Sequence, residues 1–302
     1  MKYLGIDVGG TNIKSIVLNE FSTIIEKNMI PTEDSYSNPN KWKQNIIQLI
    51  KAKTDQFAAG NSDDLICGIS APGLVCKDNK QILFMPERLQ GLEDYNWSAE
   101  LDRSIHVIND AHSACLAEYE MYYNKKIKNM LLLTLGTGVG GAAIIEGKLF
   151  QGNLQRAGHF GHITIDHQGA TTMTNMVGSL EYAIGNFSVK ERTHGYFENT
   201  KDLVTAYNQN DPLASYWWLT SLQKLATGLS SLINAFSPEL IVLGGGIVQA
   251  DDALFKPLKK FMSLYEWSPG GERVTITKAK FSNYAGAVGA ALAAKINHKN
   301  SF

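Results

Sequence analysis

Only three cysteines occur, Cys67, Cys76 and Cys115, an odd number with no C-x-x-C pair. That excludes a disulfide framework and a cysteine-rich zinc site, and it fits a reducing compartment. Blocks of like charge are missing as well. Lys and Arg number 28 against 29 Asp and Glu, for a net charge of −1. Non-specific nucleic-acid affinity comes mainly from phosphate neutralisation, so no nucleic-acid partner is expected. Long apolar runs are absent too. The most apolar stretch, MLLLTLG at 130–136, falls far short of the roughly 20 residues that span a bilayer. The apolar N-terminal run is cut by Asp7, unlike a signal peptide. A cytoplasmic protein with no membrane partner is expected. No G-x-x-x-x-G-K-[ST] loop occurs, which excludes a P-loop protein, and no dinucleotide-binding fingerprint occurs either.

What is present suits a well-buried globule: 44% hydrophobic and 19% charged residues over a 302-residue chain, long enough for two domains. Tyr3 to Asp7 reads as a strand, a Gly-Gly turn follows, and Ile13 to Leu18 reads as a returning strand. Lys41 to Ala58 has helical spacing, with Trp42, Ile46, Leu49 and Ile50 on one face. Leu65 to Ala71 and His106 to Ile108 read as strands, and a helix is expected to begin close to Asp110. The opening pattern then recurs, with strand Met130 to Leu135, a Gly-rich turn, and strand Ala142 to Ile145. Recurrence of a unit indicates duplicated architecture. Asp211 to Phe236 is a long helical stretch, Leu240 to Leu243 and Val274 to Ala279 read as strands, and Ala285 to Ile296 as a closing helix. Such alternation indicates an α/β fold.

Three glycine turns carry the first chemical signal. In DVGGTNIK, Asp7 to Lys14, the glycines Gly9 and Gly10 let backbone approach an anion, and the Thr11 hydroxyl can bond phosphate oxygens. Asp7 could hold a magnesium ion through water. The alternative is a plain hairpin whose glycines supply positive φ. LGTGVGG, 135–141, repeats the pattern with Thr137 and Gly138, and Gly244, Gly245 and Gly246 follow another apolar run. Asp110, in VINDAHSA, ends a strand and opens a helix. An Asp there is either an N-cap or a base that removes a proton from a hydroxyl in phosphoryl transfer.

A second signal lies in RAGHFGHITIDHQGATTMTNMVGSLE, 156–181. His159, His162, Asp166 and His167 are of metal-ligating type. If ITID, 163–166, is a strand, Asp166 and His162 share a face and His167 does not.

Taken in order, GIDVGGTNIK, ISAPG, NDAHSACLAE, LTLGTGVGGAAIIEGKLFQG, AGHFGH, GSLE, IVLGGGI and GAVGAALAA resemble the ROK family over nearly the whole chain. That family, within the actin/hexokinase-like ATPase superfamily, includes bacterial sugar kinases and sugar-responsive repressors. The resemblance implies two RNase H-like α/β domains, residues 1–115 plus 286–302 and residues 116–285, with an interdomain cleft for ATP and sugar. It implies an ATP-dependent sugar kinase with Asp110 as the general base that prepares a hexose hydroxyl, usually O6. Gly9, Gly10, Thr11, Lys14, Thr137 and Gly138 would serve the ATP phosphates, and Asp7 the Mg2+ environment. Gly244 to Gly246 would lie by adenosine. Gly73, Asn109, His162 and Glu181 would serve the sugar. A homodimer is implied as well. Repressor members carry a helix-turn-helix ahead of the first hairpin, which here begins at Tyr3.

The chain departs from the family pattern in three places. Family kinases show Glu-x-Gly-His where this chain has His159-Phe160-Gly161-His162. A carboxylate accepts from two hydroxyls, whereas a neutral imidazole has one acceptor and one donor. The C-x-C-G-x-x-G-C-x-E motif that supplies zinc thiolates appears as TTMTNMVGSLE, so no structural zinc is expected. Arg88 stands where an Asn of the sugar loop often binds hydroxyls; it faces either sugar or solvent. His159 and Arg88 together point to a substituted or anionic sugar. A non-catalytic sugar- or nucleotide-binding protein with a degenerate sugar site is the alternative.

Overall fold

Strands buried on both faces form the centre of the first sheet, and an alternating one forms its edge. The structure, a computed structural model, describes residues 1–35, 38–58, 61, 64–85, 89–123, 126–172, 175–281 and 283–300. Arg88 is outside them. Strands β1 (Lys2–Val8), β2 (Asn12–Leu18) and β3 (Ile24–Pro31) run antiparallel, and helix α1 (Lys41–Phe57) follows. Strand β4 (Leu65–Ala71) pairs parallel to β1. A short ribbon, β5 (Leu74–Val75) and β6 (Ile82–Phe84), leads to α2 (Trp97–Leu101). Strand β7 (Ile105–Asn109) pairs parallel to β4, and α3 (Asp110–Glu118) runs into a π-helical turn, Tyr119–Tyr123. The sheet order is β3-β2-β1-β4-β7.

The second sheet repeats this plan. Strands β8 (Met130–Leu135) and β9 (Val139–Ile145) form an antiparallel hairpin, with β10 (Lys148–Leu149) beyond it. Helices α4 (Leu180–Ile184), α5 (Val189–Arg192), α6 (Thr200–Asn208) and α7 (Pro212–Phe236) precede β11 (Leu240–Gly244), which pairs parallel to β8. Helix α8 (Asp252–Tyr265) then leads to β12 (Thr275–Lys278), parallel to β11. The order β10-β9-β8-β11-β12 matches that of the first sheet position for position. Helix α7 starts where its sequence dictates, with Asp211 accepting from the Ala214 N–H at 2.7 Å and Pro212 in the first turn. Its Trp218, Leu222, Leu225 and Leu229 pack with Leu131, Leu133 and Leu135 of β8.

Contacts divide the chain into Met1–Asn124, Leu149–Ala157 and Lys280–Phe302 as one unit, and Lys125–Lys148 with Gly158–Ala279 as the other. In the first unit, Leu4, Ile6 and Val8 face α1, joining Trp42, Ile46 and Ile50 in one cluster. By alternation Tyr3, Gly5 and Asp7 turn to the opposite face, where helix α9 (Ala285–Asn300) lies. A Cβ on Gly5 would land on the Ala287 carbonyl oxygen, and one on Gly68 on that of Ala290. Neither glycine has positive φ, so both are required by close approach alone. No helix among the described residues is long and apolar enough to cross a membrane.

Gly5→Ala or Gly68→Ala must therefore push α9 off the sheet. Each substitution should cost about 3 kcal/mol of stability, the upper end of overpacking, read as an earlier denaturant or thermal transition.

Candidate functional site

Asp7 comes at the end of β1 and, by register, lies opposite Lys14 of β2 and Ser70 of β4. Its Oδ1 accepts from the Ser70 hydroxyl at 2.8 Å. Burial raises its carboxyl pKa, against the lowering pull of that hydrogen bond and of the Lys14 charge. The bare Cα of Gly286 on α9 makes room for this carboxylate: a Cβ there would lie 2.7 Å from Oδ2 and closer still to Oδ1.

Asp110 is the first residue of α3, and it is not the N-cap of that helix. The N-cap is Asn109, whose Oδ1 accepts from the backbone N–H groups of Ala111 at 2.9 Å and His112 at 3.2 Å. Asn109 Nδ2 donates to the Gly73 carbonyl at 3.0 Å. Gly73 itself has φ +101°, so glycine is required there by conformation. The Asp110 Oδ1 also accepts from the Ala111 N–H, at 2.8 Å, while the residue as a whole stays exposed to solvent. Desolvation by burial pushes the carboxyl up to about 6, and the Asp7 charge adds to the rise. Two neighbouring carboxylates with a serine hydroxyl form an all-oxygen donor set, which fits a hydrated hard cation such as Mg2+.

The Gly9 N–H donates to Asn12 O at 3.1 Å, and the Thr32 hydroxyl donates to Gly9 O at 2.6 Å, leaving Gly10 and Thr11 exposed. The hairpin reading needed positive φ at these glycines, and neither Gly9 nor Gly10 has it. The same holds in the β8–β9 turn. Gly136 and Gly138 have ordinary φ, and a Cβ on Gly136 would meet nothing within 4 Å. The fold does not demand that glycine, and the bare surface is what a ligand approaching the turn would use. The turn is anchored from behind, where the N–H groups of Asn186 and Phe187 donate to Gly136 O and Thr137 O, each at 3.0 Å. Gly246 is likewise open, whereas Gly245, at φ +89°, packs its Cα on the Leu135 carbonyl and so brings the third glycine run beside the turn.

In the same unit Gly138, Glu181 and His162 come together. A Cβ on Gly138 would stand 2.8 Å from Glu181 Oε2. Glu181 Oε1 is 3.4 Å from His162 Nδ1, a charge contact without the alignment of a hydrogen bond. The rings of His159 and His162 are nearly parallel, with centroids 6.1 Å apart. Residues 163–166 are not a strand: Phe160–His162 form a 3-10 turn, and only an isolated bridge joins Thr164 to Ser179. The shared face required for a metal cluster is lost with that strand. Asp166 instead pairs with Lys224 at 3.1 Å, which lowers its pKa. Among the described residues no group of three or more His, Cys, Asp or Glu could hold a metal.

Three supporting residues escaped the sequence reading: Ser70, Gly286 and Arg192. Ser70 was findable, since it ends the strand that parallel pairing sets beside Asp7. Gly286 sits in GAVGAALAA, whose small residues signal close helix packing but not what is packed. Arg192 carries no local signal beyond being a charge in an exposed-looking KER.

The comparisons with known proteins agree with this geometry. A model of the ROK family matches residues 3–296. A glucokinase of Halalkalibacterium halodurans is 29% identical over 310 residues, covering 95% of this chain and 93% of that protein. An N-acetylmannosamine kinase of Vibrio cholerae is 28% identical over 269 residues, covering 87% and 90%. The crystal structure of a ROK hexokinase from Thermus thermophilus matches with TM-score 0.85 at 25% identity, covering 99% of this chain and 100% of that one. The two like-ordered sheets are the RNase H-like halves of the actin-like ATPase fold.

The two turn glycines predict different failures. Gly136→Ala should leave thermal stability unchanged, since the added methyl meets nothing, yet weaken nucleotide binding by about fivefold or more through loss of close approach. Gly138→Ala should also displace the Glu181 carboxylate and so weaken sugar and nucleotide binding together. Melting curves and separate titrations with ATP and with sugars would show it.

Proposed function

The chain belongs to the ROK family, and on that premise we propose that it is an ATP-dependent sugar kinase acting on O6 of a hexose or hexose derivative. The observation that carries the reading is Asp110: an exposed residue at the start of α3, next to the Asn109 cap, with its carboxyl pushed up to about 6. Near neutral pH it is ionised yet basic enough to take a proton. As the sugar oxygen attacks the γ-phosphorus of ATP, its proton passes to Asp110 and ADP leaves. Gly9, Gly10, Thr11, Lys14, Thr137 and Gly138 serve the phosphates, and Gly244 to Gly246 the adenosine. Asp7 would hold Mg2+ through water, and the ion would supply charge neutralisation on the phosphates.

On the sugar side, Asn109 spends its oxygen on the cap and one N–H on Gly73, leaving one N–H for a hydroxyl. Glu181 and His162 stand 3.4 Å apart, close enough for both to reach one sugar. His159 sets specificity. With an imidazole in place of a carboxylate, the site gains a donor and loses an acceptor, which favours a sugar bearing an acyl or anionic substituent over plain glucose. The relatives named above act, by name, on glucose and on N-acetylmannosamine. A non-catalytic sugar-binding role draws on the absent thiolates and the His159 exchange, and the retained Asp110 weighs against it.

Asp110→Asn should lower kcat by about 10²–10⁴-fold without lowering the melting temperature. The sign follows from the raised pKa. The folded state holds the Asp110 proton more tightly than the unfolded one, so ionising Asp110 destabilises the fold as pH rises from the ordinary carboxylate range to about 6. Wild-type kcat/KM should fall as pH drops through about 6. Full turnover in the Asn variant would overturn the mechanism.

Coupled ATP consumption over a panel of hexoses, N-acylhexosamines and sugar acids tests the substrate class. His159→Glu should shift kcat/KM toward glucose by about tenfold, the scale of one exchanged hydrogen-bond partner. Equal rates across the panel in the wild type would remove the selectivity argument.

A further inference from the structure

Arg192, the last residue of α5, is the group in the second unit that the proposed chemistry does not use. Its Nη1 donates to the Gly185 carbonyl at 3.0 Å and to the Ser188 hydroxyl at 2.9 Å. Its Nε donates to the Ser221 hydroxyl of α7 at 3.3 Å. Nη2 is buried with no hydrogen-bond partner, and among the described residues no carboxylate stands within ion-pair distance of the guanidinium. Desolvation lowers its pKa only to about 10, so it stays charged at neutral pH. A buried cation without a carboxylate is costly unless something offsets it.

What it holds is the back of the β8–β9 turn. Gly185 accepts from Arg192, and the next two residues donate their N–H groups to Gly136 O and Thr137 O. Gly185 is bare because a Cβ would come within 2.9 Å of Thr137 O. Ser188, also bonded by Arg192, donates to Tyr182 O at 2.6 Å and so ties the clamp to α4, which carries Glu181. One guanidinium thus fixes the segment that fixes the turn, and it sets an unneutralised positive charge behind it.

We infer that Arg192 is a positioning residue for nucleotide binding, which shapes the Gly136–Gly138 turn and biases it toward phosphate. The inference rests on the kinase reading, in which that turn meets the phosphates of ATP. A charge behind the turn acts on anions in front of it, so its effect grows with phosphate number and spares the nucleoside. A purely structural clamp would weaken all of them alike.

The test is calorimetric titration of the full chain with adenosine, AMP, ADP and ATP in the absence of sugar. Arg192→Gln should weaken ADP and ATP by about tenfold or more while adenosine changes by less than about twofold, and Arg192→Lys should keep most of the discrimination. Equal loss for adenosine and ATP, or unchanged ATP affinity in a folded variant, would overturn the inference. If the Gln variant does not fold, the Lys variant decides: an ATP-to-adenosine affinity ratio kept within about threefold of wild type supports the role of charge, and loss of that ratio overturns it. A wild-type protein that binds no ATP would instead overturn the kinase reading on which this rests.

Discussion

How closely α9 can approach β1 and β4 governs the functional face of the first sheet. Gly5 and Gly68 present bare backbone to the Ala287 and Ala290 carbonyls, and a side chain at either would lift the helix. The same approach puts Gly286 against the Asp7 carboxylate and lets the Ser113 hydroxyl of α3 donate to Gly286 O at 2.6 Å. Helix α3 also meets α9 through Gly289, whose Cβ would strike the Ser113 carbonyl. Asp110 opens that helix. Packing of small residues along one seam thus locates both carboxylates. Burial raises the pKa of each, with Asp7 adding its charge to the rise at Asp110.

The second sheet has the same strand order but supports its turn differently. Among the described residues, no helix glycine meets β8 backbone as Gly286 and Gly289 of α9 meet the first unit. Backbone from Asn186 and Phe187 braces the turn, Arg192 braces that backbone, and Gly245 seats β11 on the Leu135 carbonyl. Duplication fixed where the turns stand, at the ends of equivalent strands. It left the means of holding them to local residues.

That difference explains what could be read from residues alone. Strand alternation and the glycine runs are local, so the paired hairpins, the long α7 and the start of α3 at Asp110 were legible. Which of two adjacent residues caps a helix is not: Asn109 and Asp110 are both good caps, and only backbone geometry gives the role to Asn109. Strand β3 was not called, because its half-exposed alternation of Ile, Glu, Lys and Asn is that of an edge. ITID misled for the opposite reason. Its alternation is real, but Gly169 and Gly178 pack directly on Asp166 and turn the chain into a tight hairpin. Arg88, central to the specificity reading, falls outside the described residues.

That hairpin bears on whether missing thiolates imply a missing site. The segment before Glu181 has no cysteine to offer a metal. It is braced all the same. The N–H groups of Ile165 and Asp166 both donate to Gly178 O, at 2.9 and 3.2 Å, and Gly178 N–H donates to Ala170 O at 2.9 Å. The φ of +56° at Gly178 lets its Cα seat on the Asp166 carbonyl, where any Cβ would collide. Lys224 of α7 pins the Asp166 side chain from the helix side. Leu180 N–H then returns to Ile163 O at 2.9 Å, closing the loop between His162 and Glu181. Those two side chains stand 3.4 Å apart because the backbone between them is closed on itself. Main-chain bonds and one ion pair thus hold the segment between His162 and Glu181 without a thiolate.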